Sequence, residues 1–311
     1  MLFNENDMSG GLNPASVTVI IPTLNRSDVV LATLGSLERQ SVEGFNVLVV
    51  DQSDQLPELL KQLTSTKYNY RYHHLERKNL PNARNAGAKI ATTELLVFID
   101  DDVVLDEQFI ESYINEFNRV GTDYWMIGGR IWEADSNIFR QTDRIVGGTV
   151  TCYGKTLKNF DTDKFGECDF AAGGNFGIYR ERYQQLGGFD SSLLHSSLLE
   201  DADFSYRLRK AGGKIFFSPH PSLEHLRVTS GGTRNWSKVQ VVHDRAYNTV
   251  IFFRRYRSWW HLPIVFLYVQ AIAIKVVLQG QYPFSAIIFS IGGFLKAIFV
   301  RDIEPFAPDS H

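Results

Sequence analysis

Cysteine is almost missing from the chain: Cys152 and Cys168 are the only two in 311 residues. Their spacing fits neither a CxxC redox pair nor a zinc ribbon, so two buried thiols in a reducing compartment are expected. An excess of charge of one sign is missing as well. Lys and Arg total 32 against 35 Asp and Glu, for a net charge of -3 and a pI near 6.2. No global field attracts a polyanion, and nucleic acid is not expected as a partner. The first dozen residues lack the basic and apolar stretches of a secretory signal. Asn4, Glu5, Asn6 and Asp7 followed by Ser9, Gly10 and Gly11 predict a flexible tail over residues 1–14. There is no internal repeat.

What is present is an ordinary globular composition, 44% hydrophobic and 22% charged, enough for one large domain or one domain with an appendage. Val17–Ile21, VTVII, is the β-branched run of a strand buried on both faces. Pro22-Thr23-Leu24-Asn25-Arg26 follows as a turn, and Ser27 is expected to cap a helix towards Arg39. Phe45–Val50 returns as a strand ending at Asp51, completing a βαβ unit. Helices are predicted at Leu56–Leu63, Asn82–Ala91 and Leu199–Lys210, and strands at Tyr70–His74 and Leu95–Ile99. This alternation predicts a doubly wound α/β sheet with its site at the carboxyl ends of the strands. Residues 131–169 read as loops and short strands.

Two acidic groups carry chemistry. Asp100-Asp101-Asp102 follows the buried strand LLVFI directly, so its carboxylates project from a strand end. Clustered like charges call for a cation, and hard oxygen ligands suit Mg2+ or Mn2+, although an acidic turn has the same pattern. Glu200-Asp201 opens a predicted helix, where acidic residues also serve as dipole partners. Together the two groups can divide the work of a transfer reaction, one holding a cation and one taking a proton.

With Ala83-Arg84-Asn85-Ala86-Gly87 and Gly173-Gly174-Asn175, these motifs resemble the inverting family 2 glycosyltransferases over about residues 17–234. The resemblance implies a GT-A fold, that is, a Rossmann-like mixed sheet, over a catalytic domain of residues 15–257. It also implies a nucleotide-sugar donor bound by Pro22, Thr23, Arg26, Asp51, Arg84, Asp100, Asp101, Gly174 and Arg234. Asp102, Asp100 and His225 are the implied metal ligands for Mg2+ or Mn2+, and Asp201 is the implied base. Arg227, Gly231-Gly232 and Arg234 resemble a loop able to close over a diphosphate. The QxxRW-type motif of processive synthases is not matched by Thr233-Arg234-Asn235-Trp236, which favours addition of one sugar or very few. A nucleotidyltransferase would need a basic phosphate loop that PTLNR does not resemble, and a silent donor-binding protein would not need Asp102 and Asp201.

Residues 258–311 are a different material. Leu262–Leu278 and Pro283–Val300 are apolar almost throughout, each slightly short of a simple span. Trp259, Trp260 and Tyr282 are placed as interfacial anchors, and Arg254, Arg255 and Arg257 as a flank for anionic lipid. The expectation is a peripheral or monotopic protein at the cytoplasmic face of a membrane, acting on a glycan or lipid-linked acceptor; packing of these helices on the catalytic domain or a second subunit is the alternative.

Overall fold

The structure, a computed structural model, describes residues 11–134, 138–193, 198–228, 237–301 and 303. After a 3₁₀ turn at Pro14–Ser16 come β1 (Val17–Thr23), α1 (Ser27–Leu37), β2 (Phe45–Asp51), α2 (Glu58–Lys61), β3 (Tyr68–His74) and α3 (Leu80–Ile90). Next are β4 (Leu95–Ile99), β5 (Val103–Leu105), α4 (Phe109–Val120), β6 (Tyr124–Trp132), β7 (Gly147–Val150), β8 (Thr156–Asn159) and β9 (Gly166–Glu167). The chain closes with β10 (Asn175–Tyr179), α5 (Arg180–Gln185), α6 (Glu200–Lys210), β11 (Lys214–His225), α7 (Lys238–Tyr256), α8 (Leu262–Leu278) and α9 (Ser285–Phe299).

One mixed sheet runs β3-β2-β1-β4-β10-β6-β11-β5, with β9 also paired to β11, while β7 and β8 form a separate hairpin. The first four strands of that order are parallel, and β10 is antiparallel to both β4 and β6. β1 and β4 are buried along their whole length, as their continuous apolar runs require. Gly87 of α3 lies flat on this sheet: a Cβ there would sit 2.5 Å from Ile20. The last glycine of the ARNAG segment therefore serves helix-to-sheet packing.

Several expectations are corrected. Ser27 is the first helical residue, and Arg26 takes the N-cap position with no side-chain cap bond, because a guanidinium has no acceptor to offer the free amides and donates to Asp101 instead. α2 is a single turn, since only Leu60 of it is buried and Leu59 is exposed. α3 starts two residues earlier than Asn82, because the Asn79 side chain caps the amide of Asn82. Residues 11–14 are not a loose tail. Leu12 is buried and exchanges two hydrogen bonds with the Asn118 side chain of α4. Cys168 is buried, but Cys152 is exposed.

The boundary at 257/258 does not separate two cores. Val265, Val269, Phe294 and Ala297 belong to the same buried cluster as β1 and β4. α9 lies so close along α7 that a Cβ on Gly293 would be 2.2 Å from the His243 carbonyl oxygen, and Gln270 of α8 donates to Ser290 of α9 at 3.0 Å. The arginine cluster is turned inward as well. Arg254 donates to the carbonyls of Ala297 and Val300, and Arg255 to Asp190 and Asp203, so α7 uses them to hold its neighbours and not lipid. Only Arg257 of the three is exposed, with its guanidinium 5.9 Å from the Tyr206 ring centre. The outer face of the last two helices remains uncovered: Trp259, Trp260, Leu267, Leu278, Phe284, Ile288 and Phe299 are all exposed. A 3₁₀ turn at Trp259–His261 runs into α8, so that Trp259–Leu278 make 20 helical residues whose most apolar 18-residue stretch has mean hydropathy 1.9, long and apolar enough to cross a membrane by length and composition.

Candidate active site

The carboxyl ends of β1, β2 and β4 bring Thr23, Asp51 and Asp100 to one edge of the sheet. The aspartate triplet bends between β4 and β5, and its three carboxylates meet different partners. Asp101 points into the protein, where it accepts from Thr23 Oγ1 at 2.7 Å and from the Arg26 guanidinium at 2.9 Å. Burial raises its pKa to about 6, against the opposing pull of Arg26 and the Thr23 hydrogen bond. Asp102 is buried as well, with Oδ2 3.4 Å from the same Arg26 nitrogen, while Asp100 is the most open of the three.

β11 completes that side. It pairs antiparallel with β5, in register His225 to Val103, and the amides of Leu226 and Val228 donate to the backbone and side chain of Asp102 at 2.9 and 3.1 Å. The imidazole Nε2 of His225 consequently lies 3.4 Å from Asp102 Oδ1 and 3.8 Å from Asp100 Oδ2. One ligand atom from each of Asp100, Asp102 and His225 falls within 4.8 Å of the others, a group able to hold a metal ion. Two carboxylates and an imidazole suit Mn2+ and admit Mg2+. Glu133, just past the end of β6, lies 3.7 Å from the other ring nitrogen of His225, and the Phe139 ring packs 5.7 Å away. Sequence reasoning missed Glu133; an acidic residue directly after an apolar strand was the available signal.

β10 explains the glycine pair. Its first residue, Asn175, sits opposite Ile99, which places Gly174 against Asp100 and Gly173 against Arg84. A Cβ at Gly174 would lie 2.3 Å from Asp100 Oδ2, and one at Gly173 would lie 2.9 Å from the Arg84 guanidinium. Asn175 is the fastener: its side chain donates to the carbonyls of Arg130 and Pro221 and accepts from Tyr113.

Arg84, buried on α3, links the two acidic groups. It donates to the Gly173 carbonyl at 2.9 Å and to Glu200 at 3.2 Å, lies 3.6 Å from Asp100, and stacks over Phe189. Glu200 is thus the internal partner of the acidic pair. Burial, with Asp201 beside it, pushes its pKa upward despite Arg84. Asp201 is half-buried, accepts from the Ala202 amide at 2.8 Å and lines a cavity. Leu199, immediately before the pair, is held at φ +73°, a left-handed conformation uncommon for leucine and a mark of local strain. Asp201, the expected base, lies two residues further on.

The remaining expected donor residues are placed as follows. Pro22 is a buried strand residue paired with Val50. Asp51 is fully buried, accepting from the Ser53 amide at 2.8 Å, from the Ser53 hydroxyl, and from the Tyr72 hydroxyl at 2.8 Å. Thr23 donates to Asp101, and Arg26 donates to Asp101 and also lies 3.4 Å from Asp102. Arg234 and Gly231-Gly232 lie outside the described residues.

The family model described as glycosyl transferase family 2 matches residues 18–187, more than half of the chain. The chain belongs to that family. Among curated relatives, the amylovoran biosynthesis glycosyltransferase AmsB of Erwinia amylovora is 32% identical over 239 residues, covering 71% of this chain and 72% of that one. Two other relatives are 31% identical over 103 residues, and the chain spans about a quarter of their length, 24% and 23%. The TarS 1–349 structure of S. aureus in complex with UDP-GlcNAc superposes with a TM-score of 0.59 at 16% identity, over 91% of this chain and 81% of that one. The mannosyltransferase PcManGT of Pyrobaculum calidifontis, in complex with GDP-Man and Mn2+, has a TM-score of 0.56 at 16% identity, over 91% of this chain and 87% of that one. The fold of this family 2 member is GT-A.

Proposed function

We propose that this family 2 glycosyltransferase moves one sugar from a nucleotide-diphosphate donor to a glycan or lipid-linked acceptor with inversion, at the cytoplasmic face of a membrane. The convergence of Asp100, Asp102 and His225 on one point, with Arg84 joining Asp100 to the Glu200-Asp201 pair, carries this reading. The donor complexes of TarS and PcManGT support a nucleotide sugar, and the Mn2+ of the second supports a divalent cation. Mn2+ or Mg2+ held by Asp100, Asp102 and His225 would neutralise charge on the departing diphosphate.

The protein's own groups divide the remaining work. Arg84 holds Asp100 in place and offers a fixed cation at the edge of the donor site. Asp201 takes the proton of the acceptor hydroxyl as its oxygen bonds to the anomeric carbon, while the bond from that carbon to the diphosphate oxygen breaks and the electron pair leaves with the diphosphate. A single in-line displacement inverts the anomeric centre. The uncovered outer faces of α8 and α9 support membrane contact, and the close packing of α9 along α7 supports a helical layer lying in the interface.

The donor class is tested by thermal shift of the full chain with UDP-, GDP-, dTDP- and CMP-sugars, with and without Mn2+, since a ligand binding only the folded state raises Tm. One nucleotide class shifting Tm only with cation is the expected result. No shift with any of them would sink the proposal. Asp201→Asn then separates base from ligand: single-turnover rate should fall about 10²-fold or more with donor Kd little changed. Loss of donor affinity, or near-normal turnover, would overturn the base assignment.

A further inference from the structure

A cavity of about 210 Å³ lies beside Asp201, and none of Asp100, Asp102 or His225 lines it. Its walls come from three places: Gly154 and Lys158 of the β7–β8 hairpin, Asp201 at the start of α6, and Arg245, Thr249 and Tyr268 of α7 and α8. The volume is below the ~300–1,000 Å³ of a whole small-molecule site, so it suits one group of a larger ligand. Resting on the transferase reading above, we propose that this cavity is the acceptor subsite for the phosphate of a lipid-linked acceptor, gripped by Lys158 and Arg245.

The charge distribution points to an anion. Lys158 and Arg245 are both half-buried, and neither forms an ion pair among the described residues. This sets them apart from Arg26, Arg84, Arg207 and Arg255, each of which is spent on a carboxylate. Glu200 reaches the same cavity but is engaged by Arg84. Two cations against the single carboxylate of Asp201 leave the space one charge positive. Semi-enclosed cations with no ion-pair partner among the described residues suit an anionic ligand, which supplies a partner of opposite charge.

The source of the anion follows from the walls. The hairpin tip is seated on the C-terminal helices: Gly154, at φ +100°, would place a Cβ 2.8 Å from Thr249 and 3.5 Å from Tyr268, and Tyr153 packs edge-on against Tyr268 at 5.4 Å. α8 thus contributes Tyr268 to the cavity while presenting Ile264, Leu267, Ile274 and Leu278 outward, uncovered. One helix forms a wall beside the candidate base and an apolar surface suited to a bilayer. A phosphate attached to a membrane lipid fits this arrangement better than a soluble acidic glycan.

The test uses the full chain in detergent micelles, titrated with farnesyl phosphate, farnesol, inorganic phosphate and a glucuronic-acid disaccharide, followed by intrinsic fluorescence. Farnesyl phosphate should bind, and Lys158→Met or Arg245→Met should weaken it roughly 10- to 100-fold, the range for losing a charge-assisted hydrogen bond. Lys158→Arg, which keeps the charge, should restore most of the affinity. Farnesol affinity should not change in any variant. Equal affinity for farnesol and farnesyl phosphate, unchanged farnesyl phosphate affinity in both methionine variants, or tighter binding of the disaccharide or inorganic phosphate would each overturn the proposal. Donor thermal shifts run on the same samples report separately on the transferase reading: intact donor binding with an indifferent cavity fails this inference alone.

Discussion

Replacing Asp101 by alanine should destabilise the protein, where replacing Asp102 should mainly cost cation-dependent donor binding. Asp101 is 6% exposed and is the near partner of Arg26, itself 7% exposed, at 2.9 Å. Removing one member of a buried pair typically costs about 3–5 kcal/mol, because the other charge stays buried and uncompensated. Asp102 Oδ2, 3.4 Å from the same guanidinium nitrogen, retains part of the interaction, which favours the lower end of that range. The loss of Thr23's acceptor adds about 1 kcal/mol. Together these come to about 4 kcal/mol, and at about 2–4 °C per kcal/mol for a domain of this size class Tm should fall by roughly 8–16 °C. Differential scanning fluorimetry of Asp101→Ala and Asp102→Ala, with urea unfolding to check that the m-value is unchanged, makes the measurement. Asp101→Asn adds a pH signature. The folded pKa of Asp101, about 6, lies above its ordinary 3.8. Its contribution to stability is therefore complete below the unfolded value and is lost as pH rises through about 6. Wild-type stability relative to Asp101→Asn should increase as pH falls from about 7 to about 4. An Asp101→Ala variant melting within about 2 °C of wild type but unable to bind donor would refute the reasoning, placing Asp101 in the donor site instead.

Gly174→Ala should lower cation-dependent donor affinity about tenfold or more, because the added Cβ would meet Asp100 Oδ2 and displace a ligand carboxylate; calorimetry showing unchanged affinity would exclude that contact. Gly293→Val should destabilise by about 1–3 kcal/mol, since its Cβ meets the rigid His243 carbonyl and pushes α9 off α7; an unchanged Tm would show that the two helices part freely. Iodoacetamide under native conditions should label Cys152 alone, because burial pushes the Cys168 thiol up to about 12; peptide mapping that finds Cys168 modified at a similar rate would contradict its burial.

Much of the architecture was legible because its signals are local. The runs at Val17–Ile21, Phe45–Val50 and Leu95–Ile99 are apolar without alternation, which only strands covered on both faces require, and the aspartates that follow necessarily lie at strand ends. Their hydrophobic pattern decided those strands without distant contacts. α4, β6 and β11 escaped that reading although Phe109, Ile110, Tyr113, Ile114 and Phe117 form a regular buried face on α4. What no local pattern decides is partnership across the chain. The triplet Asp100-Asp101-Asp102 does not announce which carboxylate Thr23 and Arg26 will engage; that depends on the end of β1 and the start of α1 arriving beside it. His225 becomes a neighbour of Asp102 only because β11 pairs antiparallel with β5 after more than a hundred intervening residues. Arg254 and Arg255 look like a lipid flank in one dimension and are internal clamps in three, since the Ala297 carbonyl and the carboxylates of Asp190 and Asp203 accept from them, while Arg257 stays exposed. Composition and period depend on adjacent residues and are written along the chain, whereas charge pairing depends on distances that only folding creates.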